Sequence, residues 1–421
     1  MIRLLAIAAA FLVGLAAEAA DRVALTVSNP ISTARLEMVE TDLSLITKKL
    51  GLPTVNSQLI VTDANGNEIP SQVTWDGKLI FQAGVGSKGK SIYYVQQGTP
   101  KQYEVKAKGR LFTERQDEFG WENDLVAYRI YGHGGAVGYD LFNKRTSQLM
   151  LDHWYASEQN QEMRSVSKQL HERGYHDLAD QVYNAFCYHI DHGQGMDCYT
   201  VGPTLGGGAN ALVQADGTLF MPQCYKTFEI LDQGPLRFTV RLTYPEQDFQ
   251  GQKVVEQRII SLDAGSHFNR VAVSYQGLTQ PTKMAAGIVV HKQNPTAYVL
   301  SQESGYLGYE DLGDASVYNA KYKEELAKQM GKIYIGLLFP DKNITTSYQQ
   351  RENGIATGHI LGISQLSTLN SQQTYYFGSG WDKNPSTSFH SLTDWEAHLS
   401  HAARCVRNPL KVSVAVRRGG Q

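Results

Sequence analysis

Arg237-Phe238-Thr239-Val240-Arg241-Leu242-Thr243-Tyr244 places an apolar side chain at every second position and a polar one between. A period of two is that of a strand buried on one face. Val271, Val273 and Tyr275 repeat it, and Ile333-Tyr334-Ile335 and Thr374-Tyr375-Tyr376-Phe377 add further strands. No regular alternation of strand with helix accompanies them. The pattern therefore predicts a mainly β chain whose larger part, 110–416, is an antiparallel sandwich rather than a parallel α/β fold.

Upstream, between 21 and 105, strands are shorter. Val23, Leu25 and Val27 alternate with smaller or polar residues, Leu59-Ile60-Val61, Leu79-Ile80-Phe81 and Ile92-Tyr93-Tyr94-Val95 follow, and Asn65-Gly66 and Asp76-Gly77 are hairpin-turn dipeptides. This spacing suits a small immunoglobulin-like β-sandwich. Helices are few. The clearest lies near 394–407, where Thr393 and Glu396 form a capping-box pattern and Asn408-Pro409 ends the run. Arg164 to Asn184 is a second candidate and Lys321 to Met330 a third.

Residues 1–20 carry Arg3, an apolar run from Leu4 to Ala17 and the small-x-small triplet Ala17-Glu18-Ala19. They are expected to be a cleaved signal peptide, which places the mature chain in the periplasm or the medium. No later segment is apolar over the roughly 20 residues a spanning helix needs, so no integral membrane segment is expected after cleavage. Lys plus Arg number 39 and Asp plus Glu 41, a net charge of -2 that removes the electrostatic warrant for a nucleic-acid partner. Nothing in the pattern specifies an oligomeric state.

Chemistry concentrates in Tyr188-His189-Ile190-Asp191-His192-Gly193-Gln194-Gly195-Met196-Asp197-Cys198-Tyr199, where two imidazoles, two carboxylates from Asp and two phenols sit among glycines. Cys187 and Cys198 bracket this loop, and with Cys224 and Cys405 they allow three complete disulfide pairings or none. His189, Asp191 and His192 are an incomplete metal-ligand set, so no metal is assigned; calcium is the cation for which such a carboxylate-bearing loop leaves room.

Phe119-Gly120-Trp121-Glu122-Asn123-Asp124, Tyr128-Arg129-Ile130-Tyr131-Gly132, the Tyr188–Tyr199 loop, Val201-Gly202-Pro203-Thr204-Leu205-Gly206-Gly207-Gly208 and Tyr376-Phe377-Gly378-Ser379-Gly380-Trp381-Asp382-Lys383 follow in order. Together these motifs resemble the exported bacterial family catalogued as domain of unknown function 4861, through nearly the whole mature chain. The resemblance implies a large domain of the galactose-mutarotase supersandwich type, and a place among proteins that degrade pectin and other uronic-acid polysaccharides.

Such polymers are commonly cleaved by β-elimination, which needs a donor for the C6 carboxylate, a base for the C5 proton and an acid for the leaving oxygen. His189, His192 and Tyr199 suit the proton transfers, with Asp191 beside them. Arg129 can hold a carboxylate bidentately, flanked by Glu122 and Asp124, while Trp154 and Trp381 offer stacking surfaces and Lys383 a positive charge. Each has a structural alternative: Arg129 as a strand arginine, Asp124 as a turn cap, the tryptophans as core. Hydrolysis by a carboxylate pair from Glu122, Asp124, Asp191 and Asp197 is the second reaction considered. A non-catalytic glycan-binding protein is the reading from another class. In each case the expected partner is an oligosaccharide or polysaccharide.

Overall fold

The computed structural model describes residues 22–54, 57–115, 117–314, 328, 330–367 and 372–417. The expected signal peptide, residues 1–20, and most of the candidate helix Lys321–Met330 lie outside them.

Strands Arg22–Ser28, Leu59–Thr62, Glu68–Ile69, Lys90–Gln97 and Lys411–Arg417 make one five-stranded sheet, and Arg35–Asp42, Ser71–Val73 and Lys78–Val85 make a three-stranded one. Val23, Leu25, Val27, Val39, Phe81 and Val95 meet between them as a separate core. A helix not foreseen from sequence, Leu43–Leu50, closes one end by inserting Leu43 and Ile46. The last strand returns to the first: Val412 pairs with Val27 and Val414 with Leu25. Nearly four hundred residues of intervening chain hide that pairing from any local pattern.

In the larger part a nine-stranded sheet, which contains Arg237–Thr243, carries Phe238, Val240, Leu242, Val271, Val273, Leu337 and Phe377 on its inner face. Two five-stranded sheets cover that face. One runs from Ala107–Phe112 through Glu118–Asn123, Ala127–Tyr131 and Asp140–Lys144 to Gly195–Met196; the other contains Gly207–Val213, Leu219–Phe220, Thr282–His291, Thr345–Asn353 and Ala356–Leu366. Strand pairings among the described residues are antiparallel, apart from the isolated bridge Tyr139–Gly206. The mainly β, antiparallel expectation therefore holds.

Alternation misleads at one end of the opening stretch. Arg237 and Thr239 are buried too, because the first sandwich covers the outer face there. Arg237 donates to Glu40 at 2.6 Å and to Asp263 at 2.5 Å, and Gln72 Oε1 accepts from the Leu236 and Arg237 backbone N–H groups. A charged side chain between two layers is tolerated because each donor has a carboxylate.

Helix Leu392–Arg407 lies on the outer face further along, with Trp395 and Leu399 over strands Tyr306–Leu312 and Lys332–Leu338. Its cap is Ser391, not the expected Thr393. Ser391 is extended (φ -151°, ψ 162°), its Oγ accepts from Asp394 N–H and donates to Asp394 Oδ2 at 2.8 Å, so the box begins two residues earlier. The Arg164–Asn184 candidate is two helices, Gln161–Glu172 and His176–Asn184, broken at Arg173-Gly174-Tyr175 and preceded by Leu151–Glu158.

Candidate active site

Strand Ala127–Tyr131 sends Tyr128 and Ile130 into the main core and turns Ala127, Arg129 and Tyr131 to the opposite face. The same face receives Asp140, directly opposite Arg129 in register, and Glu118, opposite Tyr131. Loop residues 186–201 and helix Leu151–Glu158 cover it. Asp197, tied to Tyr188 by a backbone hydrogen bond of 2.9 Å, brings a third carboxylate.

Arg129 is thereby surrounded. Its Nε donates to Asp140 Oδ2 at 2.7 Å, Nη2 to Asp197 Oδ2 at 2.7 Å, and Nη1 to Glu118 Oε2 at 3.3 Å and Tyr188 Oη at 3.2 Å. Tyr131 donates to Asp140, and Tyr155 to Glu118. Burial alone would lower the Arg129 pKa, but Asp140 and Asp197 together hold it well above its ordinary value. One fully buried cation among three carboxylates, with the partly exposed Arg115 reaching only Glu118 at 3.5 Å, leaves the acids under-compensated. Burial, aided by the nearby Asp197 and opposed by Arg129, raises Asp140 to about 6.

Beside this cluster is a cavity of about 230 Å³ lined by Arg115, Tyr131, Asp140, His189, Tyr199 and Asp314 among others. His189 Nδ1 is 2.9 Å from the Asp197 carbonyl and 3.5 Å from its carboxylate. A carbonyl only accepts, so the Nδ1 position carries the hydrogen. Arg115 is partly exposed and its nearest carboxylate, on Glu118, is 3.5 Å away. Tyr199 is buried, and its hydroxyl finds no hydrogen-bond partner among the described residues. Burial pushes that phenol well above its usual pKa.

Of the expected residues, the structure brings His189, Tyr199 and Arg129 to this cavity. His192 is exposed and turns its Nε2 to the Cys187 carbonyl at 3.2 Å. Asp191 accepts from Gly193 and Gly195 N–H groups and from Arg145, which makes it the brace of the loop. Glu122 pairs with Lys144 at 2.9 Å and accepts from Met150 and Leu151 N–H, capping helix Leu151–Glu158. Asp124 accepts from Gly265 N–H outside the cavity. Trp154 stacks on Phe142 with ring centroids 5.3 Å apart, and Trp381 donates to the Met330 carbonyl, both buried in core. Lys383 is not in the lining; its carbonyl accepts from Arg145. Arg129 itself is saturated by three carboxylates and the Tyr188 hydroxyl, so it organises the site and has no donor to spare for a substrate acid.

All four cysteines are free thiols, so Asp191 and the Asp197–Tyr188 bond, not a disulfide, shape the loop. Among the described residues no group of three His, Cys, Asp and Glu side chains converges as a metal site. Sequence reasoning missed Asp140, Glu118 and Arg115. The available signal was charge at inward positions of strands whose other face is apolar, as in Glu118-Phe119-Gly120-Trp121.

A family profile described as "Domain of unknown function (DUF4861)" matches residues 27–412. The chain is 24% identical over 355 residues to "Uncharacterized protein P7" of Formosa agariphila, covering 80% of this chain and 78% of that protein. Among solved structures it is similar to an alpha-mannosidase from Enterococcus faecalis V583 (8% identity, TM-score 0.49, 95% of this chain and 46% of that one). A second similar structure is a protein in the glycosyl hydrolase family 38 from Enterococcus faecalis (9% identity, TM-score 0.46, 96% and 48%). The chain spans about half the length of these two proteins, and a likeness of this depth says nothing of chemistry. The profile match runs through both sandwiches and includes every residue lining the cavity, and on that ground the chain belongs to the DUF4861 family.

Proposed function

We propose that the protein is an exported enzyme that cleaves uronate-containing glycans by β-elimination, holding one sugar ring in the cavity beside Arg129. The observation that carries this is the pairing of His189 with Asp197 in the wall of a cavity that Tyr199 also lines. At about 230 Å³ the space is below the range for drug-sized ligands and suits a single ring.

In this mechanism Arg115 holds the C6 carboxylate, which acidifies the C5 proton. His189 Nε2 takes that proton, the C5–H electron pair becomes the C4–C5 double bond, and the C4–O bond breaks. The leaving oxygen takes its proton from Tyr199. Arg129 holds Asp140 and Asp197 in place, and Asp197 in turn orients His189.

Hydrolysis is the second reading, favoured by Asp140: a carboxyl raised to about 6 retains a proton long enough to act as a general acid. The decisive assay incubates the mature protein with uronate oligosaccharides and follows both unsaturated-product absorbance and new reducing ends. Both signals rising together is the expected result. Reducing ends without unsaturation would establish hydrolysis, and saturable binding with neither signal would make this a glycan-binding protein.

A further inference from the structure

Behind the Tyr199 ring lies a second acid–base pair that the mechanism above does not use. His291 ends strand Thr282–His291, and its Nδ1 is 2.7 Å from Asp311 Oδ2 on strand Tyr306–Leu312; both side chains are almost wholly buried. Asp311 is tightly held. Its Oδ1 accepts from Leu312 N–H at 2.9 Å, from Tyr309 at 3.2 Å and from Gln293 at 3.3 Å, while Tyr309 Oη also accepts from His291 N–H at 3.0 Å. A fixed carboxylate on Nδ1 dictates that this nitrogen carries hydrogen and aims the other away from it.

That other nitrogen, Nε2, is buried and makes no well-formed hydrogen bond among the described residues, with the Thr200 backbone close to the ring, and the neighbouring ring, 5.6 Å between centroids, is Tyr199, whose hydroxyl is likewise buried and unpartnered. Two neighbouring rings that each carry a buried polar atom without a well-formed bond are rare in a folded interior, where almost every such group is bonded. One lies in a residue that lines the cavity, and the other is backed by a buried acid.

We infer that Asp311 and His291 form a proton-supplying pair that serves Tyr199 from behind, with the His291 imidazolium returning to the phenolate the proton that Tyr199 gives to the leaving oxygen. This rests on the β-elimination reading for the identity of the leaving group, but the coupling of His291 to Tyr199 exists without it. The bookkeeping closes: the O–H bond of Tyr199 breaks as the leaving oxygen gains hydrogen, and the Nε2–H bond of His291 breaks as Tyr199 Oη–H reforms. Neutral His291 keeps its Nδ1 hydrogen toward Asp311, and solvent recharges Nε2.

The surroundings suit a protonated imidazole. Burial opposes its charge, yet Asp311 beside it and Asp314 and the Thr200 backbone nearby hold its pKa above the ordinary value. Tyr309 and Tyr199 are the phenols beside it, and the third imidazole in the region, His359, is kept neutral by its own burial, lowered to about 3. His291 is therefore a positioning and proton-supplying residue and His189 the group that touches substrate.

The test uses the mature chain labelled with ¹⁵N-histidine. In the inferred arrangement Tyr199→Phe moves the His291 nitrogen shifts and its titration midpoint, and Asp311→Asn lowers that midpoint. An unchanged His291 signal in a folded Tyr199→Phe variant overturns the coupling, whatever the activity. On a uronate substrate, His291→Gln is expected to lower kcat about 10²-fold, the order for losing an acid–base group, with KM nearly unchanged and the basic limb of the pH profile displaced. A basic limb identical to wild type would also overturn the inference. If the nitrogen shifts respond to Tyr199→Phe but no uronate is ever turned over, the β-elimination reading fails and the pair stands.

Discussion

Arg129 is the most connected side chain of the site and the least useful one to mutate. Removing it strands three buried carboxylates, and breaking one buried pair alone costs about 3–5 kcal/mol. Loss of activity in Arg129→Ala would therefore report unfolding. His189 separates the two effects, because its ring is partly exposed and its Nδ1 is bonded to Asp197, which keeps Arg129 as a partner. His189→Ala is expected to lower kcat by about 10²–10⁴-fold with the thermal midpoint nearly unchanged. His192→Ala, at an exposed ring bonded to the Cys187 carbonyl, is expected to leave kcat within about twofold. Turnover assays and melting curves on both variants decide this, and the reverse order of effects would move the base to His192. The twelve-residue loop itself was legible as a place of chemistry because its residue types are unusual together. Which imidazole faces the cavity was not, since His189 and His192 are three apart and only the turn braced by Asp191 sorts them.

At the level of elements, the C-terminal helix shows how local signals locate a segment without saying what it packs on. Its face of Trp395, Leu399 and Ala403 is readable from spacing, but its seat is a pair of glycines on separate strands, Gly308 and Gly336. A Cβ at Gly336 would lie 2.3 Å from Leu399 Cδ2, and one at Gly308 would lie 2.5 Å from Leu399 Cδ1. Leu399→Ala is expected to cost about 2–5 kcal/mol, as for other buried leucines. Gly336→Ala should be destabilising by overpacking, about 1–3 kcal/mol. In the double variant the new methyl occupies space the leucine vacated, so its loss is expected to be smaller than the sum of the two single losses. Urea midpoints of the four proteins test this, and simple additivity would mean that the helix shifts on its bed instead of pressing on those glycines.

For the molecule as a whole, the contact between the sandwiches combines the Arg237 ion pairs with an apolar cluster of Ile80, Leu236 and Ala264, and the interior holds two histidines, His359 and His398, in neutral form. Burial lowers His359 and His398 to about 3 each. Proton binding then favours the unfolded chain, where histidine titrates near its ordinary value of 6.5: their contribution is complete above that value and is lost as pH falls through it toward about 3. Asp140, raised to about 6, has the opposite sign, contributing below its ordinary carboxyl range and losing that contribution as pH rises through about 6. A comparison of wild type with His359→Gln isolates one group: the variant should be less stable near pH 8, where the Leu205 N–H loses its acceptor, yet decline less steeply between pH 6.5 and 4.5. Parallel melting-temperature curves over that window would sink the assignment. Sequence by itself determined the class of this fold, because period-two hydrophobicity and hairpin dipeptides are properties of a few adjacent residues and the backbone answers them locally. Tertiary structure alone decided that Lys411–Arg417 joins the first sheet, that Arg237 is sealed under the three-stranded sheet carrying Glu40 and Gln72, and that Arg129, Asp140, Glu118 and Asp197 share one charge cluster. Those outcomes depend on which surfaces meet across long separations in the chain, and the electrostatic value of a carboxylate is set by burial and by neighbours that no linear pattern contains.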